Sequence, residues 1–342
     1  MFVVPKSEIT LGGVRFYGEN SGVNAVSITQ SVENIGATAK VTIPRNFARK
    51  NGRGLLDCIH VGDTATIRLG YNDNIETEFT GYITSIGDAT PVVVELEDEW
   101  WQLKRKKLTR SWATATLKEV LQFVFDGWTV DDRVGAKLEG GYVINNATPY
   151  EVAQGIRDSY GFSIHLNPGK KSVLAFYPYR FEGFATHTYT FGTKDCTIID
   201  RLRAANTYPN VVKSELKFTR KEDTPLLLTV KYTDRQGKKH QLEVGDKGEN
   251  AQRRTLNLGC NINSEQEAKQ QAQAELERLS YDGYSGKITG FGIPRTAAGD
   301  ALKIIDPDNP EREGIYLIKS VTVSYTLGGG YRRTNELSYK IK

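Results

Sequence analysis

Between Ile9 and Glu97 the chain is written in period two. ITLGGVRF, AVSIT, ATAKVTIP, ATIRL, ETEFTGYITSI and PVVVELE are short runs, β-branched and alternating, with Gly, Asn and Asp in the gaps. Successive side chains of a strand point to opposite faces, so alternation of this kind buries one face and leaves the other polar. Short strands at this spacing predict a small barrel or sandwich. Composition agrees where it bears on the point: 17 Tyr and 33 Gly favour strands, tight turns and large contact surfaces.

The pattern changes after residue 103. TATLKEVLQFVF sets Leu117, Val120, Leu121, Val124 and Phe125 on one helical stripe. Thr116 and Glu119 ahead of it have the spacing of a capping box, in which each side chain satisfies an orphan backbone N–H. ATPYEVAQGIRDSYG repeats the device, with Thr148 as N-cap, Pro149 at the first helical position, Glu151 closing the box and Gly161 as the stop. GWTVD, FSIHL and SVLAFYPY read as strands. From Ile198 the β-character returns in NVVKSELKFT, LLLTVKYT, KHQLEV and RTLNLG, with a hairpin turn at DRQGKK, Asp234 to Lys239. One helix follows, capped by Ser264 with Glu267. Its narrow stripe of Ala268, Ala272, Leu276 and Leu279 suits light packing on a sheet. SGKITGFG, ALKII, GIYLIKSVTVSY and TNELSYKIK close the chain, the last two as a hairpin buried on one face.

The expected fold class is therefore mainly β with an α+β insert: two similar small β-barrel domains flanking an α+β middle domain. The expected boundaries are 1–103, 104–195 and 196–342, with the single helix of the third domain at 264–280.

The two β-regions share a unit. HVGDTATIRLGYNDNIETEFTGYITSI, from His60, has a Gly-Asp turn, a strand, a polar loop, Gly-Tyr and a second strand. AAGDALKIIDPDNPEREGIYLIKSV, from Ala297, has the same order. Gly62 and Asp63 match Gly299 and Asp300, and Gly81 and Tyr82 match Gly314 and Tyr316. These residues are expected to make the turns and strands of a structural repeat, with Gly81 and Gly314 where backbones approach closely.

Chemistry is sparse. The four histidines, His60, His165, His187 and His240, show no metal-binding spacing. No GxSxG elbow, phosphate loop or dinucleotide fingerprint occurs. The three cysteines, Cys58, Cys196 and Cys260, are far apart, which excludes a disulfide framework and fits a reducing compartment. No catalytic residue, metal or cofactor is expected. The net charge of +4 is too small to imply nucleic-acid binding, and LKRKK, Leu103 to Lys107, reads as a solvated segment. The opening MFVVPKSEIT lacks the regions of a signal peptide, and no apolar run reaches the roughly 18–20 residues of a membrane span, so synthesis in a cytoplasm is expected. The alternative that carries chemistry is EDEWW. Glu97, Glu99, Trp100 and Trp101 there could line a sugar-binding cleft, because glycosidases need paired carboxylates and sugars stack on indoles. The structural reading of the same residues is a solvated strand edge with two Trp packing a domain junction.

The order of these motifs carries a resemblance. An Ala-rich helix, a strand, GD with ALKII, GIYLIKSV, GGG and the closing NELSY stand in the C-terminal third. FTGYITSI, PVVVELEDEWWQLKRKKL and ATLKEVLQFV stand in the N-terminal part. Together they resemble the tail hub, or baseplate hub, proteins of Mu-like tailed phages, related to the late control protein D family and similar to the hub part of type VI secretion spike proteins. That resemblance implies a homotrimeric ring in which each subunit contributes two tube domains. The ring would join a sixfold tail tube to a threefold spike in the baseplate of a virion. The implied partners are a second and third copy of this chain, the tail tube protein, a spike or cell-puncturing protein, other baseplate proteins and the tape measure protein. DNA would pass only as cargo through the lumen.

Overall fold

The computed structural model describes residues 4–17, 22–45, 54–138, 141–160, 163–167, 171–176, 183–204, 207–221, 225–234, 238–259, 262 and 264–341. Strands hold 52% of the described residues and helices 17%, so the fold is mainly β. In chain order the first strands are β1 (Pro5–Leu11), β2 (Val14–Phe16), β3 (Ala25–Ser31), β4 (Thr38–Ile43), β5 (Thr64–Tyr71), β6 (Asn74–Ile86) and β7 (Val92–Glu97). Then come α1 (Trp100–Leu103), β8 (Leu108–Trp112), β9 (Ala115–Thr116), α2 (Leu117–Val124), β10 (Thr129–Asp132), β11 (Lys137–Leu138), β12 (Tyr142–Ala147) and α3 (Pro149–Tyr160). β13 (Ser163–Asn167), β14 (Ser172–Phe176), β15 (Thr186–Thr190), α4 (Cys196–Ala204), β16 (Val211–Thr219), β17 (Leu226–Thr233), β18 (Lys239–Gly245) and β19 (Gln252–Gly259) follow. α5 (Glu265–Leu279), β20 (Gly283–Phe291), β21 (Ala301–Ile305), β22 (Gly314–Thr326) and β23 (Gly330–Lys340) complete it.

Two compact units are present, and neither is one continuous stretch. Unit 1 comprises Met1–Trp101, Phe184–Leu216 and Gly286–Ser338; unit 2 comprises Gln102–Gly183, Lys217–Ser285 and Tyr339–Lys342. This division differs from three consecutive domains. The stretch 217–285, expected to belong with the second β-region, clusters with 102–183: its strands β17, β18 and β19 build a separate sheet, and α3 lies against β19.

Unit 1 is organised on a 13-stranded sheet, ordered β16-β20-β23-β22-β3-β4-β7-β6-β5-β1-β2, with β21 on β22 and β15 on β21. The period-two residues do what alternation requires. Val26, Ile28, Val41, Ile43, Ile67, Val92, Val94, Leu96, Ile304, Val321 and Val323 are all buried, while their strand neighbours are not.

In unit 2, the helical stripe of α2 is buried as expected, at Leu117, Val120, Leu121 and Val124, with Phe125 at its C-cap. The Thr116–Glu119 box is closed in both directions. At Thr148 the hydroxyl accepts the Glu151 N–H at 3.2 Å and Glu151 accepts the Thr148 N–H at 2.7 Å. Ser264 accepts the Glu267 N–H at 3.1 Å, starting α5. Ala268 and Ala272 of α5 pack on Leu228, Val230, Tyr232, Leu256 and Leu258 of the three-stranded sheet β18-β17-β19. Small side chains there let the helix approach that sheet closely. Gly161 and residues 235–237 of the expected hairpin turn lie outside the described residues.

Candidate functional site

The Gly-Asp turns are the first place where the two β-regions can be compared atom by atom. Gly62 has φ +98° and Gly299 φ +90°, values that an L side chain rarely adopts. In the first turn the Asp63 carboxylate accepts the His60 N–H at 2.8 Å, and the Asp63 N–H returns to the His60 carbonyl at 3.1 Å. In the second, Asp300 accepts the Ala297 N–H at 2.8 Å and its N–H returns to the Ala297 carbonyl at 3.1 Å. Each turn is then pinned to the far strand by a reciprocal pair. Gly62 donates to Ile83 and Ile83 to Asp63, both at 2.8 Å. Gly299 donates to Ile318 at 2.9 Å and Ile318 to Asp300 at 2.8 Å. Asp300 has a further partner, the His187 ring at 3.0 Å.

The Gly-Tyr halves of the unit are out of step with these turns. Gly81 pairs with Ala65, two residues beyond Asp63, whereas Leu302, two residues beyond Asp300, pairs with Tyr316. Gly81 is thus the counterpart of Tyr316, and Gly314, opposite Ile304, is the counterpart of Phe79. A Cβ on Gly81 would collide with the Glu97 carbonyl, so close approach holds at Gly81. The shared Gly-x-Tyr spelling arises at different depths in the two strands.

The match extends well beyond the turns. β3 and β4 are paired, β5, β6 and β7 form a meander, and β7 returns to β4. β16 and β20 are neighbours, β21, β22 and β23 are neighbours in the same order, and β23 returns to β20. Lys40 on β4 faces Glu95 on β7 with an ion pair of 2.8 Å, and Lys287 on β20 faces Glu336 on β23 at 3.8 Å. The sequence signal is Lys40-Val41-Thr42 beside Lys287-Ile288-Thr289, and Glu95-Leu96 beside Glu336-Leu337. It escapes a search anchored on glycines and turns. Residues 220–282 lie between β16 and β20, where the first copy has only the connection from Ser31 to Thr38.

Within unit 1 the two copies meet at a buried ionic cluster. The Arg333 side chain is 3% exposed and lies 2.6 Å from Glu78, itself 7% exposed. Arg295 reaches Glu78 at 3.2 Å and Glu76 at 2.6 Å, and the Tyr331 hydroxyl donates to Glu78. Arg333 also donates to the carbonyls of Gly292 at 3.2 Å and Thr296 at 2.5 Å. Burial opposes the Arg333 charge, but Glu78 and Tyr331 outweigh it and hold the guanidinium above its ordinary pKa. Burial first, then the Glu78 charge, pushes the Tyr331 phenol up.

The EDEWW residues are brought together as structure rather than as a cleft. Trp100 is buried, against Gly36. Asp98 accepts the N–H of Trp100 at 3.0 Å and of Ala37 at 2.6 Å, fixing the start of α1. Trp101 stacks on Tyr82 with ring centroids 5.3 Å apart, and the Tyr82 hydroxyl donates to Glu99 at 3.3 Å. Glu97 stands on β7 opposite Thr38. Trp100 offers no ring face to a sugar. In unit 2 a cavity of about 630 Å³ has Trp112 and Phe123 on its walls, but the Arg110 guanidinium lies 4.8 Å over each ring. Among the described residues no cluster of His, Cys, Asp and Glu could hold a metal ion, and no helix is long and apolar enough to cross a membrane.

A mainly-β chain built on a duplicated strand plan, interrupted by inserted α+β segments, is a fold found among phage tail proteins. The tail protein from Neisseria meningitidis MC58 matches with a TM-score of 0.62 at 12% identity, over 98% of this chain and 97% of that one. The 43 kDa tail protein of prophage MuSo2 from Shewanella oneidensis matches with a TM-score of 0.60 at 16% identity, over 97% of both chains. The Escherichia coli c3393 protein, a component of the type VI secretion system, matches with a TM-score of 0.51 at 10% identity over 94% of this chain and 74% of that one. No protein-family model matches the sequence, and comparison with curated proteins finds no match.

Proposed function

We propose that this chain is the structural hub of a phage tail or phage-like injection device, a homotrimeric ring joining the tail tube to the central spike. The observation that carries the reading is the strand-for-strand duplication inside one sheet, in a chain whose fold runs end to end with two tail proteins. A trimer that must seat on a sixfold tube needs two equivalent surfaces per subunit, and a duplicated β-framework supplies them. The two frameworks are the tube domains of that ring, and the α+β segments are docking surfaces for other baseplate proteins. The tail tube protein, a spike or cell-puncturing protein and the tape measure protein are the remaining partners, and DNA passes through as cargo. The chain works as a virion structural protein without catalysis, after synthesis in the host cytoplasm. Light scattering and electron microscopy of the purified protein test this: a trimer mass and a hollow ring are expected. A monomer at micromolar concentration with no ring in the images overturns it.

A further inference from the structure

The cavity beside Trp112 in unit 2 is built from two periodic walls. Lys106, Leu108, Arg110 and Trp112 line it from β8 and the chain entering it, every second residue and therefore one face. Glu119, Gln122, Phe123 and Asp126 line it from α2 and the turn that follows, at the spacing of one helix side. The opposite side of α2, with Leu117, Val120, Leu121 and Val124, is buried in the unit. The cavity thus lies between a strand face and the outer side of a helix. Its volume of about 630 Å³ falls in the range of ligand pockets, roughly 300–1,000 Å³.

Four charges share this cavity, and none is spent on another. The rings of Trp112 and Phe123 meet edge to face, 5.4 Å apart at 79°, and the Arg110 guanidinium sits in the corner between them, 4.8 Å from each centre. Contact of that kind uses the face of the guanidinium and leaves its N–H edge for a partner. Among the described residues neither Arg110 nor Lys106 has a hydrogen bond or an ion pair. Glu119 is occupied in the cap of α2, where its Oε2 accepts the Thr116 N–H at 2.7 Å and the Thr116 hydroxyl at 2.9 Å. Asp126 has no polar partner among the described residues. The cations stand on the strand wall and the carboxylates on the helix wall. A guanidinium held flat with its donors unused takes a carboxylate or a phosphate in bidentate fashion. Glu119 and Asp126 select between the two, because a phosphate group sets about two negative charges against them and a carboxylate only one.

We propose that this cavity binds an extended acidic segment of a partner protein. An Asp or Glu of that segment is held by Arg110, with Lys106 beside it, and a donor side chain of the same segment meets Asp126 on the helix wall. From Lys106 to Arg110 the strand wall spans about 13 Å, the length of four extended residues, so the guest is a short linear stretch. This deepens, and rests on, the reading of the α+β segments as docking surfaces for other baseplate proteins.

The probe is a library of random displayed peptides selected on the immobilised full chain. The peptides retained are expected to share an Asp or Glu at one fixed position. A synthetic copy with a photoreactive group beside that acid should cross-link to the wild type within residues 106–126, located by mass spectrometry. Calorimetry should show binding at least about tenfold weaker in Arg110→Lys, which keeps the charge but loses the bidentate fork. The amide analogue of the peptide should lose as much on the wild type, and little more on Arg110→Lys, because the two changes remove one contact. Selected peptides without a fixed acid, a cross-link outside 106–126, or equal binding by a folded Arg110→Lys protein each overturn the proposal. So does tighter binding of inorganic phosphate or duplex DNA than of the peptide at this cavity. If Arg110→Lys does not fold, the cross-link on the wild type decides. Light scattering on the same samples separates the two readings: a trimer that retains no acidic peptide keeps the hub and loses this site, and a monomer that binds one through Arg110 does the reverse.

Discussion

Gly62 and Gly299 bear the same backbone burden at the head of the same turn. With φ near +98° and +90°, a Cβ at either position strains the chain whatever space surrounds it. Gly62→Ala and Gly299→Ala are each expected to destabilise unit 1 by about 1–2 kcal/mol, seen as similar shifts in urea midpoint. If one substitution is silent, the two turns do not do the same work. Glu78 carries a larger burden. Glu78→Ala leaves the Arg333 guanidinium buried without its counter-charge, and a loss of about 3–5 kcal/mol is expected. Adding Arg333→Met in the same chain should recover much of it, because no buried charge then lacks a partner; a double-mutant cycle in urea measures this. The turns are legible in the sequence because Gly-Asp is a local device whose partners lie within a few residues. The ionic cluster is not, since Glu78 and Arg333 stand 255 residues apart and each looks like one more solvated strand charge.

At the scale of elements, helix starts were the most legible feature. Thr116 with Glu119 and Thr148 with Glu151 close as their spacing predicts. Thr148→Ala is expected to cost roughly 1 kcal/mol, read from the thermal midpoint of unit 2. Hydrogen bonds from Thr116 and from Thr148 hold Glu119 and Glu151 below the ordinary carboxylate pKa. Groups depressed in the folded state stabilise above their unfolded pKa, and that help disappears as pH falls through the folded value. Acid melts should therefore show stability falling below about pH 4.5, with a shallower fall in Glu119→Gln and Glu151→Gln. Strand existence was also legible, because period-two burial at Val26, Ile28, Val41 and Ile43 is local. Strand register was not. The Gly-Tyr echo misplaced Gly314 relative to Gly81, since nothing in a single strand tells how deep its partner pairs. The Lys40-Val41-Thr42 and Lys287-Ile288-Thr289 strings do carry the register, through the Glu95 and Glu336 opposite them.

For the whole molecule, the division into units is the least legible feature, because chain order and compactness part company. The second copy is opened between β16 and β20, and residues 220–282 leave it to build α5 and the sheet β18-β17-β19 with a core of their own. LLLTVKYT, KHQLEV and RTLNLG read as strands just as the runs of unit 1 do, so no shift in character marks the boundary. The duplication nevertheless says what that opening replaces. In the first copy the equivalent strands β3 and β4 are joined only by Val32 to Ala37. Loop closure grows slowly with loop length, so a long insertion between two neighbouring strands is cheap to keep and cheap to remove. Replacing residues 220–282 by the segment Val32 to Ala37 should therefore leave unit 1 folded. The variant is expected to be soluble, to keep a strand-rich circular-dichroism spectrum and to unfold cooperatively, with the Arg333–Glu78 cluster still protecting its neighbours from amide exchange. An aggregated or non-cooperative variant would mean that β16 and β20 need the inserted segment to find each other, and the two copies would then not be interchangeable versions of one framework.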